Sequence, residues 1–364
     1  MDRHRRRCLH GLLAGSLLAA APWPGVAKLP ARGGASLDVR EFGARGDGRQ
    51  DDTRAFQAAI DALPEEGGTV RVPAGNYLIN PLRSVRLRSR MHLSMDPDCR
   101  LVAMSNAAPR AYVLLLQRVE DVEVSGGRII GDRERHLDTT GEWGHGVMVR
   151  GSARIDLHDL HITRCWGDGI SVGGLSGIAG QAPLPSRDVV IRNVVCQGNR
   201  RQGLTIGRSR HVRVLRCSFL DTGGVLPGCG IDIEPDPGGD ARDILVEDCL
   251  AQNNHGAGIQ LYERVHAVTI RRCRILDNRG DGIHLRAARG GVIEGNEIRG
   301  NGLRGITVRA ASRDFHLRDN RIGGNSGAVA ARRREGGERG WMNLDVARGA
   351  DGIRVESSSR PGRR

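Results

Sequence analysis

Glycine, aliphatic, any residue, aliphatic: this four-residue pattern recurs seven times along the chain. The copies are Gly169–Val172, Gly203–Ile206, Gly230–Ile233, Gly258–Leu261, Gly282–Leu285, Gly305–Val308 and Gly352–Val355, and looser ones such as Gly146–Val149 extend the series. From Gly230 the spacings are 28, 24 and 23 residues. Self-similarity at such a period marks a stacked solenoid. The two aliphatics stand at i and i+2 and share one strand face, while the variable residue and the one after the motif face the other way. Between the copies fall shorter apolar alternations at Val122–Val124, Ile155–Leu157, Val189–Ile191, Val212–Val214, Ile244–Val246 and Val268–Ile270. Each coil is therefore expected to hold at least two strands and a third, less legible one. Any chemistry falls to the outward positions.

Ahead of the repeats the periodicity changes. Leu37–Gly48 predicts a short strand running into a glycine turn, and Asp51-Asp52-Thr53 supplies N-cap chemistry for a helix. That helix, about Thr53 to Leu63, places Phe56, Ala59, Ile60 and Leu63 on one face. Longer connections at Gly131–Gly144, Gly173–Arg187, Gly223–Cys229 and Pro235–Arg242 interrupt the coils, and such loops form groove walls. Cys217, Cys249 and Cys273 share a slot that Asn193, Asn296 and Asn320 fill elsewhere. Thr222, Asn254, Asn278, Asn301 and Asn325 follow five residues on from these slots. This predicts ladders at turns, with Cys as a small buried hydrophobe and Asn bonding backbone. No CxxC or histidine pair points to a metal.

Composition agrees with a thin-cored rod: 52 Gly and only 3% aromatics in 364 residues. Arg5-Arg6-Arg7 followed by an apolar stretch, Gly11–Ala21, and a small-residue site at Gly25-Val26-Ala27 reads as a twin-arginine export signal over residues 1–27. The expected partners are the twin-arginine export machinery and, in the periplasm or outside the cell, the substrate. The apolar stretch is too short to span a bilayer, so the mature form is expected to lack a membrane span. A linker over 28–36, a solenoid over 37–327 with its cap at 37–80, and an Arg-rich tail or loose last coil over 328–364 complete the expected plan. Residues 1–27 carry +3 and residues 332–364 carry +4 of the net +13, which leaves +6 for the rest. That balance suits an acidic polysaccharide. The lack of aromatic interleaving speaks against nucleic acid. Lys28 is the only lysine, which excludes a catalytic lysine from the repeats.

The stretch VREFGARGDGRQDDTRAFQAAIDAL…GGTVRVPAGNYLI, with the repeats behind it, resembles the pectate-lyase-like superfamily. The resemblance covers roughly residues 37–325. It implies an all-β, right-handed parallel β-helix with an N-terminal capping α-helix, in a superfamily that includes polygalacturonases, lyases, alginate epimerases and phage tailspikes. Gly144-His145-Gly146 matches one polygalacturonase element but precedes the candidate acids. Gly167-Asp168-Gly169 has one Asp where those hydrolases carry two, and neither their Arg-Ile-Lys nor the epimerases' Asp-Pro-His is present.

In the Gly-initiated strands the outward pairs are Ser171/Gly173, Thr205/Gly207, Asp232/Glu234, Gln260/Tyr262, His284/Arg286 and Thr307/Arg309. Coils about 4.8 Å apart make Asp232, Glu234, Gln260, Tyr262, His284 and Arg286 one expected patch. Asp168, Asp281, His145, His255 and Arg309 are the further candidates. For an eliminative lyase or C5-epimerase, Tyr262 or His284 would move the C5 proton, and Arg286 or a Ca²⁺ held by Asp232 and Glu234 would clamp the uronate carboxylate. For a hydrolase, Asp232 and Glu234 would flank the glycosidic bond. A non-catalytic glycan-binding groove is the remaining alternative.

Overall fold

The structure is a computed structural model that describes residues 31–177, 182–325 and 343–356. The leader read at residues 1–27 lies outside the described residues. Each complete coil contributes one strand to each of three parallel sheets, which hold 12, 11 and 10 strands among the described residues because the end coils are partial. One coil shows the order: Ala241–Glu247 in the first sheet, Leu250–Gln252 in the second, Ile259–Leu261 in the third. The third strand that the sequence shows least clearly is the second-sheet one, only three residues long here. The fold is the expected right-handed parallel β-helix.

Two sharp corners set this cross-section. The chain leaves the first sheet through a residue in the left-handed region, such as Asp248 at φ 54° or Gly295 at φ 63°. It leaves the second sheet through another, such as Asn253 at 58° or Gly300 at 72°. Asn, Asp and Gly tolerate that region best. The residue after each corner turns inward and stacks on its counterpart one coil away.

After the first corner the stack includes Val194, Cys217, Cys249, Cys273, Asn296 and Asn320, all buried. Asn193 is not in it. It occupies the corner itself at φ 53°, exposed, one residue off the expected slot. After the second corner run Asn199, Thr222, Asn254, Asn278, Asn301 and Asn325. From Asn254 on, each Asn side chain bonds the next: Asn278 Oδ1 accepts from Asn254 N–H and Nδ2 at 3.1 and 2.8 Å, and Asn278 Nδ2 donates to Asn301 Oδ1 at 2.9 Å. The seven cysteines among the described residues are free and buried.

The N-terminal end is closed by the helix Thr53–Asp61, whose Phe56, Ala59 and Ile60 are fully buried. Phe56 meets Tyr77 edge-on, with ring centroids 5.3 Å apart. The helix ends at Asp61, short of Leu63, although Leu63 still packs inward. Asp52 does not cap it by its side chain. Its buried carboxylate instead accepts the N–H groups of Arg45 and Gly46 at 2.8 and 3.2 Å, tying down the glycine turn. At the other end Leu344–Val346 adds a strand to the third sheet and Arg354–Val355 one to the first. No helix among the described residues is long and apolar enough to cross a membrane.

Candidate functional site

The register of the third sheet decides which outward residues meet. One row runs Met148, Ser171, Thr205, Asp232, Gln260, His284, Thr307. Two residues on, backbone bonds from Gly207, Glu234, Tyr262, Arg286 and Arg309 to the preceding coil carry a second row, Arg150, Gly173, Gly207, Glu234, Tyr262, Arg286, Arg309. The structure therefore brings Asp232, Glu234, Gln260, Tyr262, His284 and Arg286 onto one face over three coils.

Their surroundings differ from a simple solvated face. Asp232 has no exposed surface. Gln202, just before the motif glycine of the preceding coil, donates to Asp232 Oδ2 at 2.9 Å, and Gln260 donates to Oδ1 at 3.1 Å. Burial, then the negative charge of Glu234, push the Asp232 carboxyl up to about 7. Glu234 itself is half-buried and has no ion pair among the described residues. Tyr262 lies under Arg286, whose guanidinium sits 4.6 Å from the ring centroid. His284 Nδ1 meets Asp281 Oδ2 at 2.7 Å, while Asp281 Oδ1 accepts Arg304 N–H at 2.9 Å. Burial works against the charge of Asp281, but the His284 and Arg304 contacts outweigh it and hold its pKa below the usual range.

The open space is centred toward the N-terminal coils. A cavity of about 580 Å³ is bounded by Arg110, Tyr112, Trp143, Arg150, Glu234 and Tyr262. That volume suits one or two sugar residues by the usual scale of ligand pockets. Its floor passes over Ser171, Gly173, Thr205 and Gly207. A Cβ at Gly173 would meet nothing within 4 Å, so the glycine leaves room above the sheet. Asp168 and His145 line the cavity; Gln260, His284, Arg286 and Arg309 lie beyond its edge on the same face. His255 is exposed at the second corner, away from the cavity.

Under the cavity lies a fixed polar layer. Arg201 donates to both Asp168 oxygens at 3.3 Å and to Glu142 at 3.2 Å. Burial opposes its charge, but Asp168, Glu142 and Asp232 outweigh it and raise its pKa. His145 Nδ1 accepts the Asp168 N–H at 2.9 Å, so its proton sits on Nε2, and the ring stacks on Tyr112. Burial, with Arg201 and Arg110 nearby, pushes His145 down to about 4, so it is neutral near pH 7. The wall loop between Gly131 and Gly144 is pinned by stacking. Trp166 is sandwiched between the His136 ring, 4.0 Å away, and the Arg200 guanidinium, 3.6 Å away.

Sequence reasoning missed Arg110, Tyr112, Trp143, Arg150, Arg201 and Gln202. Arg201 and Gln202 could have been found by extending the alignment two residues upstream of each motif glycine. Arg110 and Tyr112 come from a coil with no motif glycine, and Trp143 opens the strand Trp143–Arg150, three residues ahead of its looser motif glycine. A Ca²⁺ at Asp232 and Glu234 does not fit. Both Asp232 oxygens are held by amide donors, its carboxyl sits near 7, and no group of three His, Cys, Asp or Glu suited to a metal occurs among the described residues.

Fold and groove together define a right-handed parallel β-helix protein with a polar cavity on one sheet. Residues 227–361 match the family described as right handed beta helix region, and residues 36–115 match rhamnogalacturonase A/epimerase, pectate lyase-like. These matches support the pectate-lyase-like superfamily. The chain is 28% identical over 243 residues to the uncharacterized protein YclG of Bacillus subtilis, covering 61% of this chain and 42% of that protein. It thus spans less than half the length of that relative. It is 24% identical to an exopolygalacturonase of Arabidopsis thaliana, over 70% of this chain and 58% of that one. Among solved structures, the A-module of mannuronan C-5 epimerase AlgE4 from Azotobacter vinelandii superposes with a TM-score of 0.64 at 18% identity, covering 80% of this chain and 79% of that one. At that identity the likeness shows the fold.

Proposed function

We propose that the protein is an enzyme acting on a uronate-containing polysaccharide in this groove, by lyase or C5-epimerase chemistry. One observation carries this: Arg110 and Arg150 line the cavity with no carboxylate partner among the described residues, across a glycine floor from the unpaired Glu234. Three coil spacings separate Arg150 from Glu234, roughly 14 Å by sheet geometry. A sugar lying over Gly173 and Gly207 would reach a guanidinium with its carboxylate and Glu234 with its C5 hydrogen.

The chemistry follows from those positions. Arginine holds a carboxylate by paired charge-assisted hydrogen bonds and stabilises the charge that grows on it as C5 is deprotonated. Glu234 takes the C5 proton. The Tyr262 hydroxyl can then give a proton to the departing glycosidic oxygen, leaving a C4–C5 double bond, or to the opposite face of C5, giving the epimer. His284, with Asp281 on Nδ1, stands one coil further as an alternative proton carrier. The names of the epimerase and exopolygalacturonase neighbours fit a polysaccharide substrate. An exported location, expected from the leader, would bring the groove to such a polymer, and cell fractionation tests it.

Hydrolysis is the second reading, favoured by Asp232, whose carboxyl is raised to about 7 by burial and by the charge of Glu234 two residues on. Incubation with pectate and alginate distinguishes the outcomes. Unsaturated ultraviolet-absorbing products mean lyase, and exchange of C5 hydrogen with solvent deuterium without chain cleavage means epimerase. New reducing ends without unsaturation mean hydrolase. Binding with none of the three defeats the enzyme reading.

A further inference from the structure

The second sheet carries a separate hollow of about 370 Å³, on a different face of the solenoid from the cavity. Arg128, His161 and Thr163 form its strand side, and Arg164, Gln197 and Asp221 its corner side. Arg128 and His161 are neighbours across adjacent coils, as are Ile130, Thr163 and Gln197. Gly198, in the left-handed region at φ 64°, keeps the rim open, since a Cβ there would meet only Arg164 Cγ at 3.9 Å.

Three features make this more than a polar dent. Arg128 is exposed and forms no ion pair among the described residues. Arg164 has only a long contact, 3.7 Å, from Nε to Glu134, with both side chains at least half exposed. Such an exposed pair is screened by water and leaves the guanidinium open to a ligand. The one acid in the hollow, Asp221, accepts from Gln197 Nε2 at 2.9 Å and so is already engaged. Inside, His161 Nε2 is buried with no hydrogen-bond partner. A buried polar atom left unpaired is costly, so a ligand hydroxyl that reaches it gains affinity. Burial and the charge of Arg128 lower the His161 pKa against an opposing Gln197 contact, so the ring is neutral and its Nε2 can exchange a hydrogen bond with a hydroxyl.

We propose that this hollow is a second, non-catalytic site for one uronate residue, its carboxylate taken by Arg128 and Arg164 and a ring hydroxyl by His161 Nε2 and Thr163. The assignment rests on the uronate reading of the main cavity for its choice of sugar. Two sites fixed on one rigid rod would engage two segments of a long chain at once, raising apparent affinity for polymer over oligomer.

Titration calorimetry of the full chain with tetramers of galacturonate, mannuronate and guluronate tests it. Two binding events per chain are expected with the matching tetramer. In the Arg128→Ala/Arg164→Ala double variant one event remains, turnover of the tetramer is unchanged, and affinity for polymer falls about tenfold or more. Arg150→Ala should weaken the other event about 30-fold and leave the hollow's unchanged. One event in the native protein that Arg150→Ala weakens in this way overturns the hollow and leaves the main reading standing. Binding that only the double variant abolishes keeps the hollow and removes the main reading. Competition by inorganic phosphate as effective as competition by free uronate would mean a general anion site and overturns the assignment. Failure of every tetramer to bind overturns both.

Discussion

Two stacks of side chains run along the same solenoid at the same pitch and could hardly differ more. At the second corner, Asn254, Asn278, Asn301 and Asn325 repeat one residue and one hydrogen bond from coil to coil. On the third sheet, Ser171, Thr205, Asp232, Gln260 and His284 occupy equivalent positions, and no two are alike. A uniform stack answers a uniform demand. Each coil presents the same backbone groups at its corner, and an amide that both donates and accepts satisfies them identically. A mixed stack answers no demand of the coil itself. Its members meet partners that occur once, such as Arg201 at Thr205, Gln202 at Asp232 and Asp281 at His284. Uniformity at the second corner belongs to the rod's own bonding, and the mixed row on the third sheet is where the substrate is proposed to lie.

The most severe test of that contrast is Glu234→Gln. It should lower turnover about a thousandfold, roughly 4 kcal/mol at the transition state. Urea unfolding should stay within about 0.5 kcal/mol of the native protein, as for a change outside the fold's own bonding. A loss of stability with activity retained would place Glu234 in the rod's framework. The mirror experiment is Asn278→Ala. Two donors of Asn254 lose their shared acceptor and the Ala251 carbonyl loses a donor. The expected cost is about 3 kcal/mol of unfolding free energy, since the groups left behind are buried. Turnover of the folded fraction should not change. If it does, the ladder and the groove are not separable.

The same contrast explains what was legible in the sequence. The fold was, because inward aliphatics and corner residues obey the coil period and so advertise themselves. Asp232, Glu234, Tyr262 and His284 were legible as departures within that period. Arg110, Tyr112 and Trp143 were not, because the first two come from a coil without the motif and Trp143 stands on its strand ahead of the motif. Nor was the burial of Asp232, because that depends on where Gln202 and Arg201 of the preceding coil lay their side chains. Asn193 was misplaced by one residue for the opposite reason: at a corner, Asn suits both the left-handed position and the ladder beside it. Only the neighbouring Val194, which takes the inward place, tells them apart.

A smaller effect is expected at Arg150. Replacing it with Ala removes one charge-assisted contact to a substrate carboxylate, so kcat/KM should fall about 30-fold, roughly 2 kcal/mol. The loss should shrink on a neutral glycan. Arg309→Ala, in the same row but beyond the cavity edge, should change kcat/KM less than threefold on a short oligomer, within the range of surface changes. Equal losses at the two positions would mean that the groove, and not the cavity, is the unit that binds.

The finest test lies beneath the groove, in how Asp232 couples to pH. Burial and Glu234 hold its carboxyl at about 7 in the folded protein, against an ordinary value of 3.8. Between those values the folded state keeps a proton that the unfolded chain has released. The contribution from this group is therefore fully present below about pH 4 and is lost as pH rises to about 7. The slope is about 1.4 kcal/mol per pH unit for one proton. Asp232→Asn removes the ionisation and should flatten that part of the stability profile, whatever its effect on absolute stability. A ladder residue such as Asn278 cannot produce such a slope, because an amide does not titrate there. If the Asn278→Ala and Asp232→Asn proteins keep the same pH slope as the native chain, Asp232 reaches solvent. Its two glutamine contacts would then not seal it, and the hydrolysis reading would lose the raised carboxyl on which it rests.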